Sequence, residues 1–121
     1  MSRIHHVALR VLDPARAAAF YSGVLGLALV KRQEDESGLR SVWLRAGDVV
    51  VMLERRLRGE GAETGSGHVL VFAVPDLAAA EERLTREGTR VLDRTAHTLY
   101  FHDPDGHRVG LSDFPFALAG R

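Results

Sequence analysis

The chain has 121 residues, of which 45% are hydrophobic and 26% charged, a length and balance typical of one soluble domain with a buried core. Sixteen basic side chains are offset by sixteen acidic ones, so no net charge is available to attract nucleic acid or an anionic membrane surface. Because cysteine is absent, disulfides, thiolate metal sites and cysteine nucleophiles are excluded, and a metal ion would need His, Asp or Glu ligands.

The first half of the chain predicts one helix and four strands. Residues 4–11 alternate and are rich in Val, Leu and Ile, which favours a strand. Asp13 followed by Pro14 predicts a helix start, because Asp caps the helix and Pro fits its first turn. Apolar residues then recur at helical spacing up to the glycines at 23 and 26, which predict its end. Three further strands are predicted at 27–33, 39–46 and 49–54.

The second half repeats this order after a glycine-rich, charged segment, residues 55–67, which predicts a flexible linker. A strand at 68–74 precedes a helix that Asp76 caps and Gly88 closes. The remaining strands are predicted at 90–92, 98–102 and 107–112. The sequence thus predicts an α+β fold of two βαβββ modules, in register from end to end. The modules, about 3–54 and 68–113, would form one domain over residues 1–121.

A histidine opens each module. The first module begins His6-Val7-Ala8-Leu9-Arg10-Val11-Leu12-Asp13, and the second begins His68-Val69-Leu70-Val71-Phe72-Ala73-Val74-Pro75-Asp76. A duplicated unit that starts with histidine both times suggests a metal site shared between the two halves.

Several motifs together resemble the vicinal oxygen chelate superfamily, which includes glyoxalase I, extradiol dioxygenases, fosfomycin-resistance thiol transferases and bleomycin-resistance proteins. They are the two histidine-led segments, Phe20-Tyr21 with Leu25-Gly26-Leu27, and Asp103-Pro104-Asp105-Gly106-His107. The resemblance spans nearly the whole chain and implies a curled, cup-shaped mixed sheet, usually completed across a homodimer. In metal-binding members the first strand of each module supplies a ligand, and His6 and His68 fall on these two positions. The metal there holds two neighbouring substrate oxygens.

The chain departs from this pattern at the fourth strands. Metal-binding relatives usually have glutamate at the centre of the second module's triplet, and often an acid in the first; this chain has Met52 and Gly110. A catalytic zinc normally has three protein ligands, and hard cations depend on carboxylates. The sequence therefore predicts that the usual metal site is lost, although His102 could be a third ligand beside His6 and His68.

Four residues are the candidates for binding a small molecule: Arg10, Trp43, Tyr100 and His102. Arg10 follows His6 by four strand positions and so shares its face. It resembles the arginine that some glyoxalases use to hold a substrate carboxylate; the alternative is a wall arginine paired with an acid. Trp43 and Tyr100 occupy similar third-strand places and would form aromatic walls, unless Trp43 packs in a dimer interface. Tyr100 and His102 share a face.

Other charged segments are interpreted as structural. The cluster Arg55-Arg56-Leu57-Arg58 is expected to be a solvated loop balanced by Glu54, Glu60 and Glu63. The turn residues Asp103, Asp105 and His107 are expected to face solvent.

Two functions are weighed. The first is a protein of the bleomycin-resistance type that binds a small organic molecule, with no metal cofactor. The alternative is a glyoxalase-like lyase, isomerase or dioxygenase in which His6 and His68 hold Zn, Ni, Mn or Fe; a metal-free enzyme with either histidine as general base is a variant of it. No catalytic residue is assigned. We expect a homodimer with a small-molecule ligand and without nucleic-acid or membrane partners. The cytoplasm is its expected location, since no apolar run reaches the ~20 residues that span a bilayer.

Overall fold

The computed structural model describes residues 3–57 and 68–115. The chain forms two compact units, residues 1–63 and 64–121. Within the described residues each unit consists of one helix and one four-stranded sheet. This confirms the predicted α+β class and the repeated βαβββ order.

The first unit packs helix α1 on one face of a mixed sheet. Its elements are β1 (His6–Arg10), α1 (Pro14–Leu25), β2 (Ala28–Asp35), β3 (Gly38–Ala46) and β4 (Val49–Glu54). The strand order is β1-β4-β3-β2, with β1 parallel to β4 and the other pairs antiparallel. The core contains Tyr21 of α1 and Leu44 and Leu53 of the sheet, each at most 1% exposed. Fully burying a side chain such as Leu53 stabilises the unit by about 1.5–3 kcal/mol.

The predicted ends of α1 are confirmed. The Asp13 carboxylate accepts the backbone N–H of Arg16 at 3.1 Å, which satisfies a donor that the helix itself leaves unpaired. Gly26 ends the helix in the left-handed conformation, with φ 69°, and its N–H donates to the Ser22 carbonyl.

The second unit has the same plan with shorter strands. Its elements are β5 (Leu70–Ala73), α2 (Leu77–Arg86), β6 (Asp93–Arg94), β7 (Thr98–His102) and β8 (Arg108–Ser112). The strand order is β5-β8-β7-β6, with β5 parallel to β8. Leu84 of α2 is fully buried, as are Leu99, Phe101, Val109 and Leu111 of the sheet.

Three expectations about this half are corrected. The short strand lies at Asp93–Arg94, not at residues 90–92, because Asp93 and Arg94 are the register partners of Tyr100 and Leu99 on β7. The first strand begins at Leu70, so His68 lies outside it. Asp103 does not face solvent: it is 4% exposed, and its carboxylate accepts the backbone N–H groups of Asp105 and His107.

Most of the predicted linker, residues 58–67, lies outside the described residues. No helix in the described part of the chain has the length and apolar character needed to cross a membrane.

Candidate ligand-binding site

A row of four side chains crosses the face of the first sheet that lies away from α1. Ala8 of β1 pairs with Met52 of β4, Met52 pairs with Trp43 of β3, and Trp43 pairs with Lys31 of β2. His6 and Arg10 lie two positions before and after Ala8 on β1. Because side chains alternate along a strand, these residues share one face, and the buried apolar residues of β3 and β4 occupy the other. The expectation that Arg10 shares a face with His6 agrees with this register.

Trp43 has an imidazole and an ammonium as neighbours. The rings of His6 and Trp43 are stacked, with centroids 6.0 Å apart and an interplanar angle of 20°. Nζ of Lys31 lies 5.5 Å from the centroid of the Trp43 ring. Nδ1 of His6 lies 2.9 Å from Nδ1 of His5, so one of these nitrogens carries the shared proton and the other accepts it.

The indole donor of Trp43 is used inside the protein. Its Nε1–H donates to Oγ of Ser41 at 3.3 Å, and the Ser41 hydroxyl donates to Oε1 of Gln33 at 2.9 Å. Ser41 is fully buried. The half-buried ring of Trp43 therefore offers its π surface to a ligand, and its polar atom stays with Ser41.

Glu54, the carboxylate on this face, is already engaged. It is 4% exposed and accepts Nε of Arg40 at 3.2 Å and the backbone N–H of Arg56 at 2.7 Å. Arg10 is the register partner of Glu54 on β1, and its guanidinium donates to the carbonyl of Leu57. The negative charge of Glu54 is thus compensated within the protein.

The second sheet has a comparable row on the face away from its buried residues. Val71 pairs with Gly110, Gly110 with Tyr100, and Tyr100 with Asp93. The guanidinium carbon of Arg108 lies 4.5 Å from the centroid of the Tyr100 ring, and its Nη2 lies 3.7 Å from Oδ2 of Asp93. Trp43 and Tyr100 therefore occupy matching third-strand positions, as the sequence predicts.

The ring of Tyr100 covers Gly110. A Cβ atom at Gly110 would lie 3.2 Å from Cδ1 and Cε1 of Tyr100 and 3.2 Å from Cγ2 of Val71. His102 pairs with Arg108 and is exposed, so it shares this face with Tyr100.

Comparison with known proteins identifies the family. The family model described as Glyoxalase/Bleomycin resistance protein/Dioxygenase superfamily matches residues 3–111. The chain belongs to this superfamily. It is 32% identical to a lactoylglutathione lyase of Pseudomonas aeruginosa over 139 aligned positions, which cover 87% of this chain and 78% of the relative.

Two solved structures of this superfamily fold illustrate its range. The fosfomycin resistance protein FosX from Mesorhizobium loti has a TM-score of 0.77 at 23% identity, and the match covers 96% of this chain and 94% of that one. TnmS3, an antibiotic binding protein from Streptomyces sp. CB03234, has a TM-score of 0.69 at 25% identity, over 93% of this chain and 95% of that one.

The residues at the superfamily's acidic positions do not fit a divalent cation. Met52 offers a thioether beside Ala8 in place of a carboxylate, and the space beside Gly110 is filled by Tyr100 and Val71. Thioether sulfur is a poor ligand for the metals that carboxylates bind. Within residues 3–57 and 68–115, no group of three His, Asp or Glu side chains is placed to hold a metal ion.

His6 and His68 do not hold equivalent places in their sheets. His6 lies two residues before Ala8, the residue that pairs with Met52. In the second sheet Val71 pairs with Gly110, so the equivalent of His6 is Val69, one residue after the exposed His68. Alternation continued from β5 sets Val69, rather than His68, on the face of Gly110.

The expectation of register from end to end is therefore wrong at this strand. The segment from His68 to the Asp76 cap is one residue longer than the segment from His6 to the Asp13 cap. A metal role for His68 remains a prediction.

Sequence reasoning missed Lys31 and Ser41. Lys31 lies two residues before Gln33 on β2, and Ser41 lies two residues before Trp43 on β3. Each pair therefore shares a face of the sheet. The strand alternation that groups His6 with Arg10 could have found them, because it applies equally to β2 and β3.

Proposed function

We propose that this chain binds a small organic molecule without the divalent metal site of its metal-dependent relatives. The observation that carries the proposal is the state of the two acidic positions, where Met52 and the covered Gly110 replace carboxylates. With both acids gone, a cation would lose the hard oxygen ligands that neutralise its charge. The likeness to an antibiotic binding protein supports a binding function on this fold.

Each unit contributes two of the proposed binding residues. Arg10 and Trp43 share a face of the first sheet, and Tyr100 and His102 share a face of the second. Small-molecule sites are mostly apolar and aromatic with a few polar groups that orient the ligand. A half-buried aromatic ring with cations beside it has this character in both units.

The test is elemental analysis of protein purified without a chelator. We expect zinc, nickel, manganese and iron far below one equivalent per chain. Near-stoichiometric content of any of them would contradict the proposal. Protein prepared in parallel with His6→Ala and His68→Ala is the control, because contamination on other surfaces would be the same in both samples.

The alternative is a metal-dependent, glyoxalase-like lyase, isomerase or dioxygenase using His6 and His68. The observation in its favour is the 32% identity to a lactoylglutathione lyase. This alternative predicts about one equivalent of metal per chain in the wild type. The variant with both histidines replaced should lose the metal and any turnover. Turnover that survives EDTA but not histidine replacement would instead indicate a metal-free enzyme with a histidine base.

A further inference from the structure

The face around Trp43 carries positive charge that the described residues do not neutralise. Lys31 is exposed on this face, and within residues 3–57 and 68–115 it forms no salt bridge. Glu54, which lies on the same face, is buried against Arg40 and the Arg56 N–H and does not pair with Lys31.

In the second unit, the cation beside the aromatic ring has a carboxylate partner. There the cation beside the aromatic ring, Arg108, lies 3.7 Å from the carboxylate of Asp93. Asp93 is the register partner of Tyr100, just as Lys31 is the register partner of Trp43. The equivalent strand position therefore holds an acid in one unit and a base in the other. Among the described residues, the cation beside the aromatic ring therefore has a carboxylate partner in the second unit and has none in the first.

The ring of Trp43 determines what kind of molecule fits beside that cation. Its Nε1–H is committed to Ser41, so the ring contributes flat apolar surface and no hydrogen-bond donor. His6 stacks on the same ring and extends the flat surface. The Lys31 ammonium supplies a positive charge beside this ring.

We propose that the ligand of the first unit is a small planar anion, an aromatic or conjugated carboxylate or phosphate. Its ring lies on the Trp43 surface and its anionic group pairs with Lys31. A hydrogen bond between an ammonium and an oxyanion is stronger than one between neutral groups, and the neighbouring ring lowers its exposure to water. This inference rests on the proposed small-molecule binding and specifies the chemical class of the ligand.

The experiment compares two probes of the same shape, 2-naphthoate and the uncharged 2-naphthamide, by equilibrium dialysis. We expect the wild type to bind the carboxylate about tenfold more tightly. Lys31→Met should remove that preference by weakening naphthoate binding and leaving naphthamide binding unchanged, and Lys31→Arg should restore most of it. Lys31 is the only lysine in the chain, so peptide mass spectrometry separates its modification by an amine-selective reagent from that of the N-terminal amine, and protection of Lys31 by naphthoate reports on this place.

Arg32→Met is the matched control. It removes the same charge from the next residue, but Arg32 pairs with the buried Val42 and so points to the opposite face. Equal affinity for both probes, or equal effects of the two variants, would overturn the anion inference and leave small-molecule binding intact. Failure of both probes to bind, together with near-stoichiometric metal in the wild type, would overturn the inference and the proposed function together.

Discussion

Ser41 holds the Trp43 ring from within the sheet. It is fully buried, accepts a hydrogen bond from the indole N–H and donates one to the amide oxygen of Gln33. These two hydrogen bonds fix the orientation of the Trp43 ring, because any other orientation would leave buried polar groups unpaired. The residue that shapes the candidate surface is therefore one that a ligand would not touch.

Replacing Ser41 with Ala should loosen Trp43. It leaves the indole N–H and the Gln33 oxygen without their partner, which should cost about 1–3 kcal/mol of unfolding free energy. Urea unfolding followed by circular dichroism measures the loss, and the emission of Trp43, the only tryptophan, reports its changed surroundings. Ser22→Ala is the control, since Ser22 is exposed and bonds the Leu27 carbonyl away from Trp43. Identical emission of the Ser41 variant and the wild type would contradict the positioning role.

The turn between β2 and β3 is tied to the end of β4 by an ionic cluster. Asp35 accepts the hydroxyl and the backbone N–H of Ser37, and Arg55 and Arg56 lie within salt-bridge distance of its carboxylate. The expected balance of Arg55 and Arg56 by Glu54 is corrected: both arginines pair with Asp35, and Glu54 forms its salt bridge with Arg40. Arg58, Glu60 and Glu63 lie outside the described residues, so their part of that expectation stays a prediction. The cluster fixes the hairpin that carries Lys31 and Trp43.

This cluster should make the free energy of unfolding depend on pH in the acidic range. The Ser37 hydroxyl above all, then the Ser37 N–H and the two arginines, holds the pKa of Asp35 below its ordinary value. A carboxyl with a lowered folded-state pKa stabilises the fold above its unfolded-state pKa, and that stability is lost as pH falls through the folded-state pKa. Asp35→Asn should therefore lose less stability than the wild type on acidification from about pH 5 to about pH 3.

Thermal unfolding at a series of pH values measures this difference. Glu36→Gln is the matched control, because it removes a carboxyl from the same turn that forms no salt bridge with the residues described. Parallel stability curves for the wild type and the Asp35 variant would contradict the prediction.

At the scale of the whole molecule, the two units share a plan but differ in the residues around their third-strand aromatic rings. Each has a βαβββ order and a third-strand aromatic ring next to the fourth strand. In the first unit Lys31 lies beside Trp43 and forms no salt bridge with another described residue, whereas in the second Tyr100 covers Gly110 and Arg108 pairs with Asp93. The two units therefore share a scaffold and differ at single positions on the matching face of each sheet.

We expect the chain to be a homodimer in solution, as the superfamily resemblance implies. Large apolar side chains on the isolated chain, such as Leu29 and Phe114 at 58% exposure each, support this. Light scattering coupled to size exclusion should give twice the chain mass of 13.3 kDa. A mass of one chain across the accessible concentration range would contradict it.

Much of the fold and part of the candidate site could be predicted from the sequence. The Asp13 and Asp76 caps, strand β4 and strand β7 are encoded by local signals, so their predicted bounds match the structure. The shared face of Trp43 and Met52 follows from alternation alone. The short strand β6 was misplaced because two residues carry no periodicity, and pairing with β7 alone defines it.

The sequence by itself determined the superfamily, the order of elements in both modules and the loss of the two acidic positions, because each depends on residue identity or on short-range pattern. Only the tertiary structure decided that Tyr100 fills the space beside Gly110, that Lys31 lies beside Trp43 and that Val71 takes the place equivalent to Ala8. These facts depend on the register between strands that are distant in sequence. A slip of one residue there would reverse which side chains share a face.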